Sequence, residues 1–388
     1  MKDGFIRVAA ATPDIHVADP QYNSEQIIEL MEQGSARGVK VMVFPELCLT
    51  AYTCSDLFLQ ETLLKEAKNG LKRILQSSKS KDMVLFVGMP WMHKGKLYNV
   101  AAVVNRGRIL GIVPKKHLPN YSEFYELRHF TPGMEKVEMT EWEGLQIPMG
   151  MKLLFSCRTM PELVLAAELC EDVWVPCPPS ISHALAGATV IANCSASDET
   201  TGKDRYRYDL ICGQSARLVC GYIYANAGEG ESTQDLVFGG QNIIAENGTC
   251  LVQSDRFKNA CICADMDLGR IISERRRMTT FKDEENKASS YETVYFELNT
   301  EDITKKDSKK AGQKNDEILR YIDPAPFVPH DAGQRERRCE EILSIQAMGL
   351  KKRLAHTHCQ SAVVGISGGL DSTLAVLVTA RAFDLLGI

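Results

Sequence analysis

The sequence predicts a mixed α/β protein with one large domain followed by part of a second. Short apolar runs rich in valine, isoleucine and aromatic residues recur between residues 5 and 265, and polar stretches with helical spacing separate them. The 388 residues also exceed the length of roughly 250–300 residues at which single hydrophobic cores stop growing. We therefore expect two domains.

The apolar runs predict nine strands, and these lie at residues 6–10, 41–44, 84–89, 100–104, 108–113, 163–168, 190–193, 221–225 and 241–245. Helices are predicted at residues 24–37, 61–77 and 208–218. Two hairpin turns are predicted at residues 105–107 and 246–248, because each segment ends in glycine and separates two apolar runs. Hairpins indicate a sheet with antiparallel members rather than a purely parallel one.

The composition changes from about residue 280 to 335, where Lys, Asp, Glu, Asn and Ser dominate and residues 305–314 almost lack apolar side chains. This texture predicts a solvated linker or arm. A helical pattern at 339–356, a strand at 361–366, a glycine-rich loop and an apolar helix follow it. Since one strand cannot form a parallel sheet, we expect a second domain that is truncated at Ile388. The predicted divisions are 1–275, 276–335 and 336–388.

Composition and charge argue against nucleic-acid and membrane partners. Hydrophobic residues make up 44% of the chain and charged residues 24%, with a formal net charge of -5. The amino terminus lacks the basic start and the cleavage site of a signal peptide, and no apolar run reaches the roughly 18 residues of a membrane helix. The thirteen cysteines are scattered and lack zinc-site spacing. We expect reduced thiols, no metal site and a cytoplasmic protein.

Three segments place a reactive side chain at the end of a predicted strand, and they contain Glu46, Lys115 and Cys170. Taken singly, they are typical of a solvated loop, a basic turn and an inert buried thiol. Three carboxylates flank Cys170 in sequence, and nearby negative charge raises the pKa of a thiol. Cys170 can therefore act as a nucleophile only beside a base and a fixed cation. Glu46 and Lys115 would supply these two groups.

Glu, Lys and Cys in this order, in the contexts Phe-Pro-Glu, Pro-Lys-x-x-Leu-Pro and Glu-Leu-Cys-Glu-Asp, resemble the nitrilase or carbon–nitrogen hydrolase superfamily. Residues 115–130, 225–233 and 235–240 resemble more narrowly the glutaminase domain of glutamine-dependent NAD synthetases. The resemblance implies a four-layer αββα nitrilase-type sandwich over residues 1–275. It implies that residues 336–388 begin a truncated Rossmann-like domain of the PP-loop class.

The resemblance also implies roles for single residues. Cys170 would attack the side-chain amide of glutamine, Glu46 would act as general base and then acid, and Lys115 would stabilise the oxyanion. Glu123 matches the supporting glutamate that orients the lysine. The residues implied for the glutamine pocket are Tyr121, Phe124, Glu126, Trp174, Ser197 and Lys203. Phe124 and Trp174 suit core packing equally well. Lysine at position 203 would bind a carboxylate less well than an arginine, because it cannot bind in a bidentate way.

The loop of the second domain comprises Ser367, Gly368, Gly369, Leu370, Asp371 and Ser372. It suits phosphate binding, since glycines allow close backbone approach and the start of a helix offers free N–H donors. The resemblance implies that it holds the pyrophosphate of ATP. A complete synthetase would use ATP, Mg²⁺ and nicotinic acid adenine dinucleotide (deamido-NAD), whereas the glutaminase would need no cofactor. The resemblance further implies a homo-oligomer and suggests an octamer.

Two other functions stay open at this point. A stand-alone nitrilase-type amidase or carbamoylase would act on another substrate, although residues 121–130 and the phosphate loop argue against it. A catalytically silent assembly subunit would carry the same residues without forming a thioester. In the leading interpretation, this chain alone hydrolyses glutamine and does not make NAD⁺.

Overall fold

The computed structural model describes residues 4–281, 289–299 and 318–388. It divides the chain into two compact units, Met1–Arg320 and Tyr321–Ile388. Residues 305–314, which the sequence predicts to belong to a solvated linker, lie outside the described residues.

The first unit contains two β-sheets. Their strands are β1 (Phe5–Ala11), β2 (Val41–Val43), β3 (Val84–His93), β4 (Lys96–Asn105), β5 (Arg108–Pro114), β6 (Glu138–Trp142), β7 (Leu145–Met149), β8 (Leu153–Cys157), β9 (Val164–Leu169), β10 (Val190–Ser195), β11 (Gly221–Asn226), β12 (Ile243–Glu246), β13 (Thr249–Gln253), β14 (Cys261–Asp267) and β15 (Glu292–Phe296). The first sheet has the order β14-β1-β2-β3-β4-β5-β7-β6, and the second has the order β13-β12-β11-β10-β9-β8-β15.

The helices of this unit are α1 (Pro20–Ala36), α2 (Glu61–Ser78), α3 (Glu126–His129), α4 (Pro179–Leu185), α5 (Lys203–Leu218) and α6 (Leu268–Arg277), with 3₁₀ segments at Tyr52–Leu59 and Cys170–Val173. These elements pack against three hydrophobic layers. One lies between the two sheets, one between the first sheet and α1 and α2, and one between the second sheet and α4 and α5. The order helix, sheet, sheet, helix is the predicted four-layer sandwich.

Burial on both faces explains why the central strands are continuous apolar runs. In β1, Ile6 and Val8 point into the layer between the sheets, whereas Ala9 and Ala11 face the helices. All nine predicted strands and both predicted hairpins are present, at β4–β5 and β12–β13. The sequence did not predict β6, β7, β8, β13, β14 and β15 as separate strands. Of these, β15 lies within the predicted linker 276–335 and pairs in parallel with β8.

The second unit contains two helices, α7 (Ala332–Thr357) and α8 (Leu370–Asp384). Arg381 of α8 donates to Glu340 of α7 at 2.9 Å and also bonds Ser344. The strand predicted at residues 361–366 is wrong, because these residues have no regular structure and Val363 is 99% exposed. An apolar run becomes a strand only when a neighbouring strand pairs with its backbone. Among the described residues, no strand offers that pairing here.

Candidate active site

Glu46 follows β2 and lies where the chain crosses the neighbouring strand β3. Gly88 of β3 makes this crossing possible, because a Cβ there would lie 2.2 Å from the carbonyl oxygen of Pro45 and 2.4 Å from the nitrogen of Leu47. The Glu46 side chain is completely buried. Its Oε2 accepts a hydrogen bond from the backbone of Ala196 at 3.0 Å. Glu46 is thus anchored between the two sheets with a fixed orientation.

Lys115 follows β5 and joins two buried carboxylates. Its Nζ lies 2.6 Å from Oε1 of Glu46 and 2.6 Å from Oε1 of Glu126, and the lysine is completely buried. Burial opposes the charged ammonium, but the two carboxylates outweigh it and raise the pKa of Lys115 well above its usual value. Lys115 is therefore a permanent buried cation.

The second carboxylate is Glu126, so the supporting role predicted for Glu123 is wrong. Glu126 begins α3 and is 4% exposed, whereas Glu123 is only partly buried in the preceding turn. The placement of Glu126 in the glutamine pocket stays a prediction, since Lys115 and the hydroxyl of Tyr52 bond its Oε1 whereas its buried Oε2 has no hydrogen-bond partner among the described residues. The available signal was its spacing of four residues from the apolar Phe130, which directly follows α3 and is buried, because residues four apart share one face of a helical turn.

Cys170 lies directly after β9, at the start of a 3₁₀ turn. Its φ of 41° is in the left-handed region, which is costly for a residue with a Cβ. Burial and then the charge of Glu46 raise the pKa of its thiol well above the usual value, while Lys115 lowers it and Glu126 raises it. These charges act on the thiol in one shared buried site. Cys170 consequently rests as a neutral thiol that needs a base for attack.

The three carboxylates that flank Cys170 in sequence each have their own partners. Glu168 accepts hydrogen bonds from the hydroxyl of Tyr222 and the backbone of Ser180. Glu171 accepts one from the hydroxyl of Tyr121 at 2.8 Å. Asp172 accepts bonds from the backbone and the ring of His117, both at 2.9 Å, and so ties the lysine segment to the cysteine segment. Each of the three acids next to Cys170 in sequence is thus bonded to another residue.

Three of the residues implied for the glutamine pocket lie together. The ammonium of Lys203 lies 5.5 Å from the ring centroid of Trp174 and 6.0 Å from that of Phe124. Lys203 also bonds the carboxylate of Asp198. Tyr121 packs edge-on against Phe124 at 6.1 Å and is 56% exposed. Both Phe124 and Trp174 are partly exposed, and Trp174 also packs against the hydrophobic layer under α4 and α5, so the core-packing alternative stays open for Trp174.

Ser197 lies under this cluster and is held by a buried arginine. Its hydroxyl accepts from Arg207 at 3.3 Å, and its backbone N–H donates to Asn226 at 2.7 Å. Arg207 is completely buried and also bonds Glu199 and Gln241. No local sequence pattern singled out Arg207, because its partners come from separate loops.

Two further contacts of the catalytic groups were not predicted. Asn99 of β4 donates to Oε1 of Glu46 at 2.6 Å, and Tyr52 donates to Oε1 of Glu126 at 2.9 Å. A polar residue inside the apolar run of β4 was a local signal for Asn99. Tyr52 had none, since its place depends on buried Glu231, which accepts bonds from the backbone of Tyr52 and Thr53.

The glycine-rich loop of the second unit precedes α8 and is exposed. Gly368 has a φ of 85°, and a Cβ at this position would meet nothing within 4 Å. The hydroxyls of Ser367 and Ser372 lie 3.3 Å apart, and Gly369 caps the helix. Open space, a helix start and two hydroxyls are the features that a phosphate group requires.

The carbon-nitrogen hydrolase family matches residues 7–276, which contain Glu46, Lys115 and Cys170 in the site described above. The chain belongs to the carbon-nitrogen hydrolase family. A second match, to the NAD synthase family, covers residues 342–387 and includes the phosphate loop. This carbon-nitrogen hydrolase therefore carries part of a second family domain.

Similar proteins include the glutamine-dependent NAD(+) synthetase of Mycobacterium bovis, 40% identical over 98% of this chain and 55% of the relative. The corresponding protein of Rattus norvegicus is 26% identical over 96% of this chain and 50% of its own length. The chain thus spans about half the length of the relatives it matches.

Two solved structures are also similar. A glutamine-dependent NAD(+) synthetase from Cytophaga hutchinsonii aligns with a TM-score of 0.61 and 30% identity over 68% of this chain and 43% of that chain. An amidase from Nesterenkonia sp. aligns with a TM-score of 0.55 and 18% identity over 72% of this chain and 97% of that chain. The second likeness shows the fold alone. Within the described part of this hydrolase, no helix is both long and apolar enough to cross a membrane.

Proposed function

We propose that this chain hydrolyses the side-chain amide of glutamine, as the glutaminase part of a glutamine-dependent NAD⁺ synthetase. The buried group of Glu46, Lys115 and Glu126 around the Cys170 thiol carries the proposal. Burying a cation and carboxylates beside a thiol costs folding free energy. Such clusters of buried ionisable groups are typical of functional sites. The relatives named glutamine-dependent NAD(+) synthetase support glutamine as the substrate.

The proposed reaction begins with transfer of the thiol proton of Cys170 to Glu46, because the raised pKa of the thiol keeps it protonated at rest. The sulfur attacks the amide carbon, and Lys115 stabilises the negative oxygen of the tetrahedral intermediate. Glu46 then gives its proton to the leaving nitrogen, which departs as ammonia and leaves a thioester. Glu46 next removes a proton from water, and the hydroxide attacks the thioester carbon. The carbon–sulfur bond breaks, the leaving sulfur takes the proton back from Glu46, and glutamate and the free thiol are released.

Glutamine recognition is proposed for the cluster of Phe124, Trp174 and Lys203. Lys203 would bind the substrate carboxylate, and Tyr121 and Ser197 would close the pocket. Because Lys115 engages Glu126, the carboxylate for the substrate ammonium is proposed to be Glu171, which is half-buried beside the nucleophile. Glu123 is proposed to lie at the outer rim of this pocket.

The domain divisions 1–275, 276–335 and 336–388 are proposed as glutaminase, connecting segment and start of the ATP-binding domain. In that last part, residues 367–372 would hold the pyrophosphate of ATP through backbone N–H groups and the two serine hydroxyls. A bound Mg²⁺ would neutralise the nucleotide phosphates, and the complete enzyme would amidate deamido-NAD to NAD⁺. We further propose a cytoplasmic homo-oligomer, with an octamer as the expected form.

The test is ammonia release from glutamine by the full chain. Cys170→Ala should abolish it, whereas Cys220→Ala, which removes another buried thiol, should leave it within twofold. A panel of other amides and carbamoyl compounds distinguishes a general amidase, since one of them would then surpass glutamine. A glutamine analogue with an electrophilic carbon in place of the amide should label Cys170 in a folded sample. Absence of that label would favour a silent assembly subunit.

A further inference from the structure

The backbone of the nucleophile is held by a side chain from the adjacent strand. Cys170 occupies the left-handed region with a φ of 41°, so an outside contact must hold it there. Its N–H donates to Oδ1 of Asn193 at 3.2 Å. Asn193 belongs to β10, pairs in register with Glu168 of β9, and is completely buried.

Asn193 is in turn the centre of a buried chain of hydrogen bonds. Its Oδ1 also accepts from the hydroxyl of Ser195 at 2.8 Å, and its Nδ2 donates to the hydroxyl oxygen of Tyr222 at 3.0 Å. Tyr222 donates its own proton to Oε1 of Glu168, whose Oε2 accepts from the backbone of Ser180 at 2.8 Å. These hydrogen bonds lie under α4 and α5, on the face of the second sheet that is turned away from the first sheet.

The donors and acceptors in this series of hydrogen bonds fit together in only one way. A backbone N–H can only donate, so Asn193 must turn its oxygen toward Cys170 and its nitrogen toward Tyr222. The tyrosine oxygen then accepts from Asn193 and its proton is left for Glu168. Glu168 accepts the tyrosine proton on Oε1 and the backbone N–H of Ser180 on Oε2. The orientation of the amide that holds the nucleophile is therefore set two contacts away.

We propose that Asn193 is a positioning residue for the nucleophile, and that Tyr222 and Glu168 fix the orientation of its amide. The proposal rests on the glutaminase reaction proposed above. Asn193 acts through the backbone of Cys170, which aims the sulfur at the amide carbon and keeps it beside Glu46. Loss of the contact would let the strained turn relax and move the sulfur, and a displacement of about 1 Å can cost about 100-fold in rate.

Asn193→Leu, which keeps the approximate volume but removes the acceptor, should lower kcat for glutamine about 100-fold with KM within threefold. Tyr222→Phe keeps Asn193 but frees its amide, and we expect a loss of about tenfold in kcat. The matched control is Asn105→Leu at the far end of β4, where a buried asparagine bonds the carbonyl of Met83. It should lower stability while kcat stays within twofold.

Rescue by a conservative variant separates positioning from general structural damage. In Asn193→Asp, a protonated carboxyl can accept from Cys170 and donate to Tyr222, whereas a carboxylate cannot donate. The ratio of its kcat to that of the wild type should therefore rise as the pH falls from 8 to 6. Burial, together with the charge of Asp172, raises the pKa of the neighbouring Glu168 to about 7. Glu168→Gln, assayed over the same pH range, therefore shows how much of the change comes from Glu168.

The rate at which iodoacetamide alkylates Cys170 provides a readout that needs no glutaminase activity, with Cys170→Ala to identify the labelled site. We expect Asn193→Leu to slow this alkylation at least tenfold. An unchanged alkylation rate, or a kcat loss no greater than the fraction of unfolded protein, would overturn the positioning role. If the wild-type protein releases no ammonia but Asn193→Leu still slows alkylation of Cys170, the glutaminase is refuted and the positioning role stands.

Discussion

Replacing Glu126 with glutamine tests the charge arrangement on which the proposed chemistry depends. Glutamine keeps an acceptor for Lys115 and Tyr52 but removes one of the two negative charges that hold the ammonium. At 2.6 Å and an effective dielectric constant of about 20, the gross attraction between Lys115 and Glu126 is about 6 kcal/mol. Burial of the Glu126 carboxylate opposes this attraction and is the main reason why its pKa is raised.

The net effect should therefore be smaller than the gross attraction. We expect Glu126→Gln to raise the activation barrier by about 2–3 kcal/mol, which is about 30- to 150-fold in kcat. KM for glutamine should change little, because Glu126 is engaged by Lys115 rather than open to the substrate. We expect kcat to fall because the ammonium of Lys115 would be held less firmly beside the developing oxyanion.

Ammonia release at pH 7.5 over a range of glutamine concentrations measures both constants, and urea unfolding confirms that the variant is folded. Glu123→Gln is the matched control, because Glu123 is only partly buried three residues earlier, and its kcat should stay within threefold. The reasoning fails if Glu126→Gln keeps wild-type kcat. It also fails if Glu123→Gln loses as much.

Three further perturbations test separate contacts. Burial raises the pKa of Glu168 to about 7, above its unfolded value, so its contribution to stability is largest at low pH and is lost as the pH rises toward 7. Between pH 5 and 8 the stability of Glu168→Gln, measured by urea unfolding, should therefore rise by up to about 3 kcal/mol relative to the wild type. Parallel stability curves for the two proteins would contradict this. Gly88→Ala should displace Glu46 and abolish ammonia release. The control is Gly213→Ala in α5, where a Cβ would meet open space, and it should raise the free energy of unfolding by up to about 1 kcal/mol. Lys203→Met should raise KM for glutamine about tenfold or more with kcat nearly unchanged, and a pure kcat defect would remove it from the substrate pocket.

The success of the strand predictions has a local cause. Central strands such as β2 and most of β3 are buried on both faces, so they appear as apolar runs. The missed strands β6 and β13 have alternating or partly exposed patterns, and β15 lies in a polar region. Their strand conformation comes from pairing with a neighbour, which a local window does not contain.

The prediction at residues 361–366 failed for the converse reason. Its apolar core has strand propensity, but propensity stabilises a strand only through cross-strand packing and backbone pairing. Val363 is almost fully exposed instead. The same dependence on neighbours led to Glu123 in place of Glu126, because the turn before α3 decides which glutamate points inward.

By itself, the sequence determined the order Glu46, Lys115 and Cys170, each directly after an apolar run, because strand ends are readable from local patterns. It also predicted a phosphate site in the glycine-rich loop at residues 367–372, because the signature of that loop is contiguous. Only the tertiary structure decided that Glu126 completes the charge group and that Asn193 holds the nucleophile. These contacts join segments that lie far apart in the chain, and their geometry is set by strand register and packing, which no stretch of sequence contains.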